Sequence, residues 1–223
     1  RLTRRLGHEA DAVDARIRPS LVLVPFADAV QVDREPLRDL SPLRLDLALR
    51  RLGADLAADR EGVWFTRRHV ARIADLVGQG GALDLPRGLA FLVSGRRAWL
   101  RRRSGERPAP QLTVETHERE GFDLDAFLAR AARTQAVVDA AHLGAHPALR
   151  PVERGDRFRP FGRTGPTNAL RWLTRRQVPA WQRASTWVVV GDGGVAWIVG
   201  HAVDADHAVT ASTQTVARLA AHV

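Results

Sequence analysis

Trp187-Val188-Val189-Val190-Gly191-Asp192-Gly193-Gly194-Val195-Ala196-Trp197-Ile198-Val199 is the stretch that decides the fold class. Two apolar, β-branched runs of strand length flank a glycine-rich turn, which is the pattern of a hairpin. The same residues contain a dinucleotide-like match, Gly191-x-Gly193-x-x-Ala196. That reading needs a helix after the glycines, with its N-terminus facing a pyrophosphate, whereas Val195 to Val199 is a second strand. The last third of the chain is therefore read as α+β with an antiparallel sheet. Ahead of the hairpin, Ala169 to Arg176 reads as a short helix. Leu170 and Leu173 can face the core there, while Arg171 and Arg175 share the other side at i, i+4.

Further upstream, Leu2, Leu6, Ala10, Val13 and Ile17 recur at steps of three or four, the stripe of an amphipathic helix stopped by Pro19. Ser41 as N-cap with Pro42 at the first helical position opens a second helix, with Leu45, Ala48, Leu49 and Leu52 inward and Gly53 at its close. Thr66 opens a third, with Val70, Ile73, Ala74 and Val77 on one face before Gly78-Gln79-Gly80-Gly81. Leu21 to Val24 and Val63 to Phe65 are strand-like breaks. After Gly81, Ala82 to Leu85, Leu89 to Val93 and Ala98 to Arg102 are short extended runs of a small sheet or hairpin. Ser104 to Pro110 reads as a linker, Leu112 to Thr116 as a strand, and Leu124 to Val138 as a helix with Phe127, Leu128 and Ala131 inward. The predicted organisation is a linking helix over 1–18, a mostly helical middle domain with a small β-hairpin over 19–103, and linker and helix over 104–148. A small α+β C-terminal domain with an antiparallel sheet follows over 149–223.

The 223 residues are 45% hydrophobic and 26% charged, the balance of a globular domain rather than a disordered chain. There is no cysteine, which excludes disulfides, cysteine-ligated zinc and a thiol nucleophile. No apolar run reaches membrane-spanning length and none resembles a secretory signal, so a cytoplasmic location is expected. Methionine is absent, and Arg1 is not the small residue that normally follows a removed initiator, so a segment of a longer protein is expected. All 34 basic residues are arginines and outweigh 25 acidic ones to give +9. The excess is concentrated: nine arginines stand against Glu153 and Asp156 between Arg150 and Arg183. Such a cluster, punctuated by glycine and proline, suits a phosphate backbone, because the arginine fork pairs with phosphate and stacks on bases. Charge alone leaves a solvated arginine-rich surface as an equal reading.

No catalytic centre is visible. A Walker motif cannot exist without lysine, and no G-x-S-x-G elbow occurs. His201-x-x-Asp204-x-Asp206-His207 gathers imidazoles and carboxylates but matches no defined metal-ligand spacing, so it reads as a polar loop. His142 and His146 read as surface histidines. Trp172, Trp181, Trp187 and Trp197 read as core, with base stacking the lesser alternative.

The run Leu149-Arg150-Pro151-Val152-Glu153-Arg154-Gly155-Asp156-Arg157-Phe158-Arg159-Pro160-Phe161-Gly162 closely resembles the signature that opens the C-terminal domain of bacterial tRNA(Ile)-lysidine synthetases. Leu170 and Leu173, Val178-Pro179, Arg183, the Val195 to Gly200 strand and Thr210 fit the pattern downstream. Asp84-Leu85-Pro86-x-Gly88, Val32-Asp33-Arg34, the Leu43 to Leu52 region and the Thr66 to Val77 helix are similar to the family's middle domain. The resemblance implies the tRNA-binding portion of an ATP-dependent ligase that joins lysine to the wobble cytidine of an isoleucine tRNA with a CAU anticodon. ATP, lysine and magnesium would belong to an N-terminal domain carrying an S-G-G-x-D-S loop, which this sequence lacks, so the chain alone is expected to be inactive. That catalytic domain would be a partner in cis or in trans, and homodimerisation is left open.

Carried over residue by residue, the implied tRNA contacts are Arg157, Arg159, Arg163, Arg171, Arg175, Arg176 and Arg183. Arg150, Gly155, Asp156, Pro160 and Gly162 are implied as signature or structural positions, with Asp156 shaping the turn that aims the arginines. The sequence departs from the family at Thr167, Asn168 and Ala169, where basic residues are common, and at Ala202 and Asp206, near which arginines are expected. These departures lower the expected charge of the RNA-facing surface. They leave a divergent, non-catalytic module that binds RNA or a protein partner as the alternative function.

Overall fold

The computed structural model describes residues 2–54, 56, 65–103 and 109–223, those at 2–4 by backbone alone. The chain divides into two compact units, Arg1–Glu106 and Arg107–Val223.

In the first unit, α1 (Leu2–Ile17) is followed by β1 (Val22–Leu23), β2 (Ala29–Asp33), α2 (Pro42–Ala54) and α3 (Arg67–Gln79). Strands β3 (Gly81–Leu85), β4 (Leu89–Ser94) and β5 (Arg97–Arg102) complete it. The expected hairpin is one edge of a larger antiparallel sheet in the order β1-β2-β5-β4-β3. Val30, Val32, Phe91, Val93, Ala98 and Leu100 occupy alternate positions and pair across strands, Val30 opposite Leu100 and Val93 opposite Ala98. They share one face, and they form a single core with Ile17, Leu45, Leu49, Leu52 and Ile73 of the helices. Each fully buried Leu or Ile contributes about 1.5–3 kcal/mol relative to exposure.

Local chemistry sets the helix ends. The Thr66 hydroxyl accepts from His69 N–H and the His69 ring accepts from Thr66 N–H, a reciprocal cap on α3. At the other end Arg34 donates to the carbonyls of Val77 (2.6 Å) and Gly78 (2.5 Å), satisfying helix acceptors that have no partner of their own. Glu9 with Arg44 and Asp14 with Arg51, each at 2.7 Å, tie α1 to α2.

Stripe positions differ from expectation in two helices. Among the described side chains of α1, Val13 and Ile17 enter the core, Ala10 is half-buried and Leu6 stays 39% exposed. Ala74 is exposed because Val70, Ile73 and Val77 hold the centre of the α3 stripe and the next residue lies about 100° around the helix.

The second unit runs β6 (Gln111–Glu118), α4 (Leu124–Arg130), β7 (Gln135–Asp139), α5 (Ala140–Leu143) and β8 (Ala148–Pro151). Then come β9 (Arg157–Phe158), β10 (Thr167–Asn168), α6 (Ala169–Arg175), α7 (Ala180–Ala184), β11 (Trp187–Gly191), β12 (Gly194–Ile198), β13 (Ala202–Val203) and β14 (Thr215–His222). Its antiparallel sheets are ordered β6-β14-β7, β13-β12-β11-β8 and β10-β9. The deciding hairpin is present, with Gly191 opposite Gly194 around Asp192-Gly193. Its tip is seated on the end of α5, where Asp192 N–H donates to the Leu143 carbonyl. A Cβ at Gly144 (φ +82°) would collide with the Asp192 carboxylate, and one at Gly191 with the Leu143 carbonyl oxygen.

The helix expected over Leu124 to Val138 is half wrong. It stops at Arg130, Leu128 is 61% exposed, and Phe127 and Ala131 are only half-buried. Ala136, Val137 and Val138 are buried in β7, paired with Leu219, Arg218 and Ala217 of β14. Adjacent β-branched residues lose less by being extended, and β14 supplies a partner strand. Of the remaining breaks and linkers, Val63, Trp64 and residues 104–108 lie outside the described residues.

Candidate nucleic-acid interface

The arginine-rich segment is built around one carboxylate. Arg150, at the end of β8, donates Nη2 to Asp156 Oδ1 (2.6 Å) and Nη1 to Oδ2 (2.9 Å). Glu153 N–H donates to the same Oδ2 (2.7 Å), and the Asp156 carbonyl accepts from Ala169 N–H (2.9 Å). One buried aspartate thereby joins a sheet edge, the turn that follows it and the start of α6. Burial pushes the Asp156 carboxyl up, but the Arg150 fork and the Glu153 N–H outweigh it and hold it below the usual carboxylate range. Donating to the Asp156 carboxylate raises Arg150 in turn.

Asn168 fixes the other side of the turn. Its side-chain oxygen caps α6 by accepting from Arg171 N–H (3.0 Å), and its amide donates to the Arg154 carbonyl (2.5 Å). By sequence alone Asn168 reads as a departure from a commonly basic position. The signal for its structural role was present, since asparagine directly before an apolar helical run is a capping residue.

Trp172 is the pillar beneath α6. It is 9% exposed and meets Phe158 edge-on at 5.2 Å and His201 at 6.3 Å. The Arg176 guanidinium sits 4.7 Å from its centroid, a cation–π contact that holds the charge at the surface. The core reading of Trp172 and Trp197 fits their burial, whereas Trp181 and Trp187 are half-buried.

Arg163, Arg175 and Arg176 line one groove of about 420 Å³, walled by Pro160, Thr164 to Thr167 and Trp172. Gly162 enters the loop at φ +79°, and Arg163 N–H donates to the Pro160 carbonyl. Arg171 and Arg157 are exposed, on α6 and on β9. Among the described residues, Arg157, Arg163, Arg171 and Arg175 have no acidic partner. Gly155 lies in the exposed turn ahead of Asp156.

Two of the predicted contacts are engaged elsewhere. Arg183 is half-buried and donates Nη1 to the Val178 carbonyl (2.5 Å), so it braces the α6–α7 connection. Arg159 donates to Asp206. The backbone here is paired to the loop before Asp206: Arg159 N–H donates to Asp204 Oδ2 (2.6 Å), Ala205 N–H donates to the Arg159 carbonyl, and buried Pro160 bridges to Asp204. Asp204 also accepts from Asp206 N–H (2.8 Å) and lies 3.1 Å from His207 Nδ1. Burial pushes its carboxyl up, and these bonds bring it below the ordinary value. The polar loop is a braced turn, and no described group of three or more His, Asp or Glu could hold a metal ion.

Among the described residues, no helix is long and apolar enough to cross a membrane. No curated protein matches the chain. A solved structure described as the crystal structure of the TilS C-terminal domain aligns at 19% identity over 64% of this chain and 90% of that one, with a TM-score of 0.39. An N-terminal fragment of the phenylalanyl-tRNA synthetase β-subunit from Pyrococcus horikoshii aligns at 14% identity over 51% of this chain and 40% of that one, with a TM-score of 0.40. Residues 148–220, which hold the Arg150–Asp156 turn and the basic groove, match the family model of the TilS substrate C-terminal domain and form a TilS-related region.

Proposed function

We propose that this chain is the tRNA-holding portion of a tRNA(Ile)-lysidine synthetase. The observation that carries the reading is the groove lined by Arg163, Arg175 and Arg176 within the family-matched residues, flanked by exposed Arg157 and Arg171. Guanidinium groups carried on a braced turn and a short helix offer forked donors to phosphate oxygens, which position a backbone without reading bases. Arg150, Asp156 and Asn168 keep those donors in place.

In this reading the isoleucine tRNA is held here in the cytoplasm. A separate nucleotide-binding domain, in cis or in trans, supplies the ATP-, lysine- and magnesium-dependent chemistry. The chain alone forms no lysidine; its residues bind and orient.

The test is a titration of the full chain with an unmodified isoleucine tRNA transcript across a salt series. Duplex contact should give a log-log slope of about −0.9 per phosphate, by analogy with B-DNA. Absence of association at low salt would overturn the proposal.

A further inference from the structure

Arg159 and Asp206 stand 47 residues apart in sequence and form an ion pair. The pair is exposed enough for solvent and ligands to reach, with side chains 36% and 64% accessible for Arg159 and Asp206. An exposed pair of this kind contributes little to stability, so a stronger anion can displace the carboxylate. The backbone around it is not loose. Arg159 and Pro160 are paired to Asp204 and Ala205, and Asp204 braces the turn that presents Asp206. The backbone that carries the two charged side chains is thus set independently of the bond between them. The carboxylate engages the guanidinium at Nη2, while Nε is buried. A phosphate that took both terminal nitrogens, Nη1 and Nη2, would use the fork more fully.

From this juxtaposition we infer that Asp206 is an internal counterion that holds Arg159 back from RNA, so that this one carboxylate sets how strongly the arginine face grips a phosphate backbone. The inference rests on the RNA-binding reading above. Arg163, next along this loop, has no acidic partner among the described residues and is available throughout. Arg159 becomes available only when Asp206 yields or is removed.

The experiment is tRNA binding by the full chain and its Asp206→Asn and Asp206→Ala variants from 50 mM salt upward, with thermal melting as the check on folding. Asparagine keeps the backbone N–H that bonds to Asp204, so that turn is retained. Both variants should bind about three- to tenfold more tightly at low salt, with the salt slope steeper by about 0.9, one additional phosphate contact. In an Arg159→Ala background the same substitutions should give no gain. A gain that persists without Arg159 would show a general charge effect and overturn the inference. Tight binding by the unmutated chain with no change on Asp206→Asn would also overturn it, leaving the RNA reading intact. No binding by any of the chains would remove both.

Discussion

Arg150 and Asp156 are joined by two parallel hydrogen bonds, Nη2 to Oδ1 at 2.6 Å and Nη1 to Oδ2 at 2.9 Å, with the Asp156 side chain only 7% exposed. Removing one partner leaves the other desolvated and unpaired, a larger loss than the pair's own net contribution. Asp156→Ala should therefore destabilise the second unit by about 2–4 kcal/mol, read as a lower urea midpoint. Loss of tRNA binding should follow in proportion to unfolding. A stability unchanged within error would mean the turn holds without the pair.

Asp139, Asp156 and Asp204 are all held below the ordinary carboxylate range, burial being outweighed at each by hydrogen bonds. At Asp139 those bonds come from the Thr213 hydroxyl (2.6 Å) and Ala141 N–H. A carboxyl whose folded value is depressed stabilises the fold above its unfolded pKa of about 3.9, and that contribution is lost as pH falls through the folded value. Melting temperature should stay level with respect to these groups from about pH 7 to 5 and fall steeply below about pH 4. Asp156→Asn should flatten part of that acid limb.

Asn168 separates two roles of one side chain. Asn168→Ala should cost about 1 kcal/mol or more through loss of the α6 cap. Asn168→Asp should recover the cap while replacing the bond to the Arg154 carbonyl by an oxygen–oxygen repulsion, so its loss should differ from that of alanine. Denaturant titration of the two variants distinguishes them, and equal destabilisation would argue against capping as the main role.

Groove and brace arginines should behave differently. Replacing Arg163, Arg175 and Arg176 together by alanine should lower tRNA affinity and reduce the magnitude of the salt slope by about 2–3. Arg183→Ala should lower the melting temperature through the lost Val178 bond and leave the slope unchanged. A slope change for Arg183→Ala equal to that of a groove residue would place it in the interface.

In the first unit, Arg34→Ala removes donors to the carbonyls of Val77, Gly78 and Gly95 at once. A loss of about 1–3 kcal/mol is expected, together with faster amide exchange in the last turn of α3. Unchanged exchange there would show that solvent replaces the guanidinium.

The features legible in the sequence are local ones. Ser41-Pro42, Thr66 and the Asp192-Gly193 turn act through neighbours a few residues away, so helix starts and the deciding hairpin were legible from spacing and residue type. The core faces of α2 and α3 were legible for the same reason, because helical periodicity is a property of the segment. Tertiary structure decided everything that depends on a distant partner. Residues 135–139 became a strand because Thr215–His222 pairs with them, and Ala29–Asp33 joined the sheet through Arg97–Arg102. The same holds for charge. The sequence put nine arginines between positions 150 and 183, but only packing assigned them. Arg150 grips a buried carboxylate, Arg183 braces a backbone carbonyl, Arg159 faces Asp206, and Arg163, Arg175 and Arg176 border a groove. A formal charge is fixed by composition; what it can bind is fixed by which counter-charge the fold brings within reach.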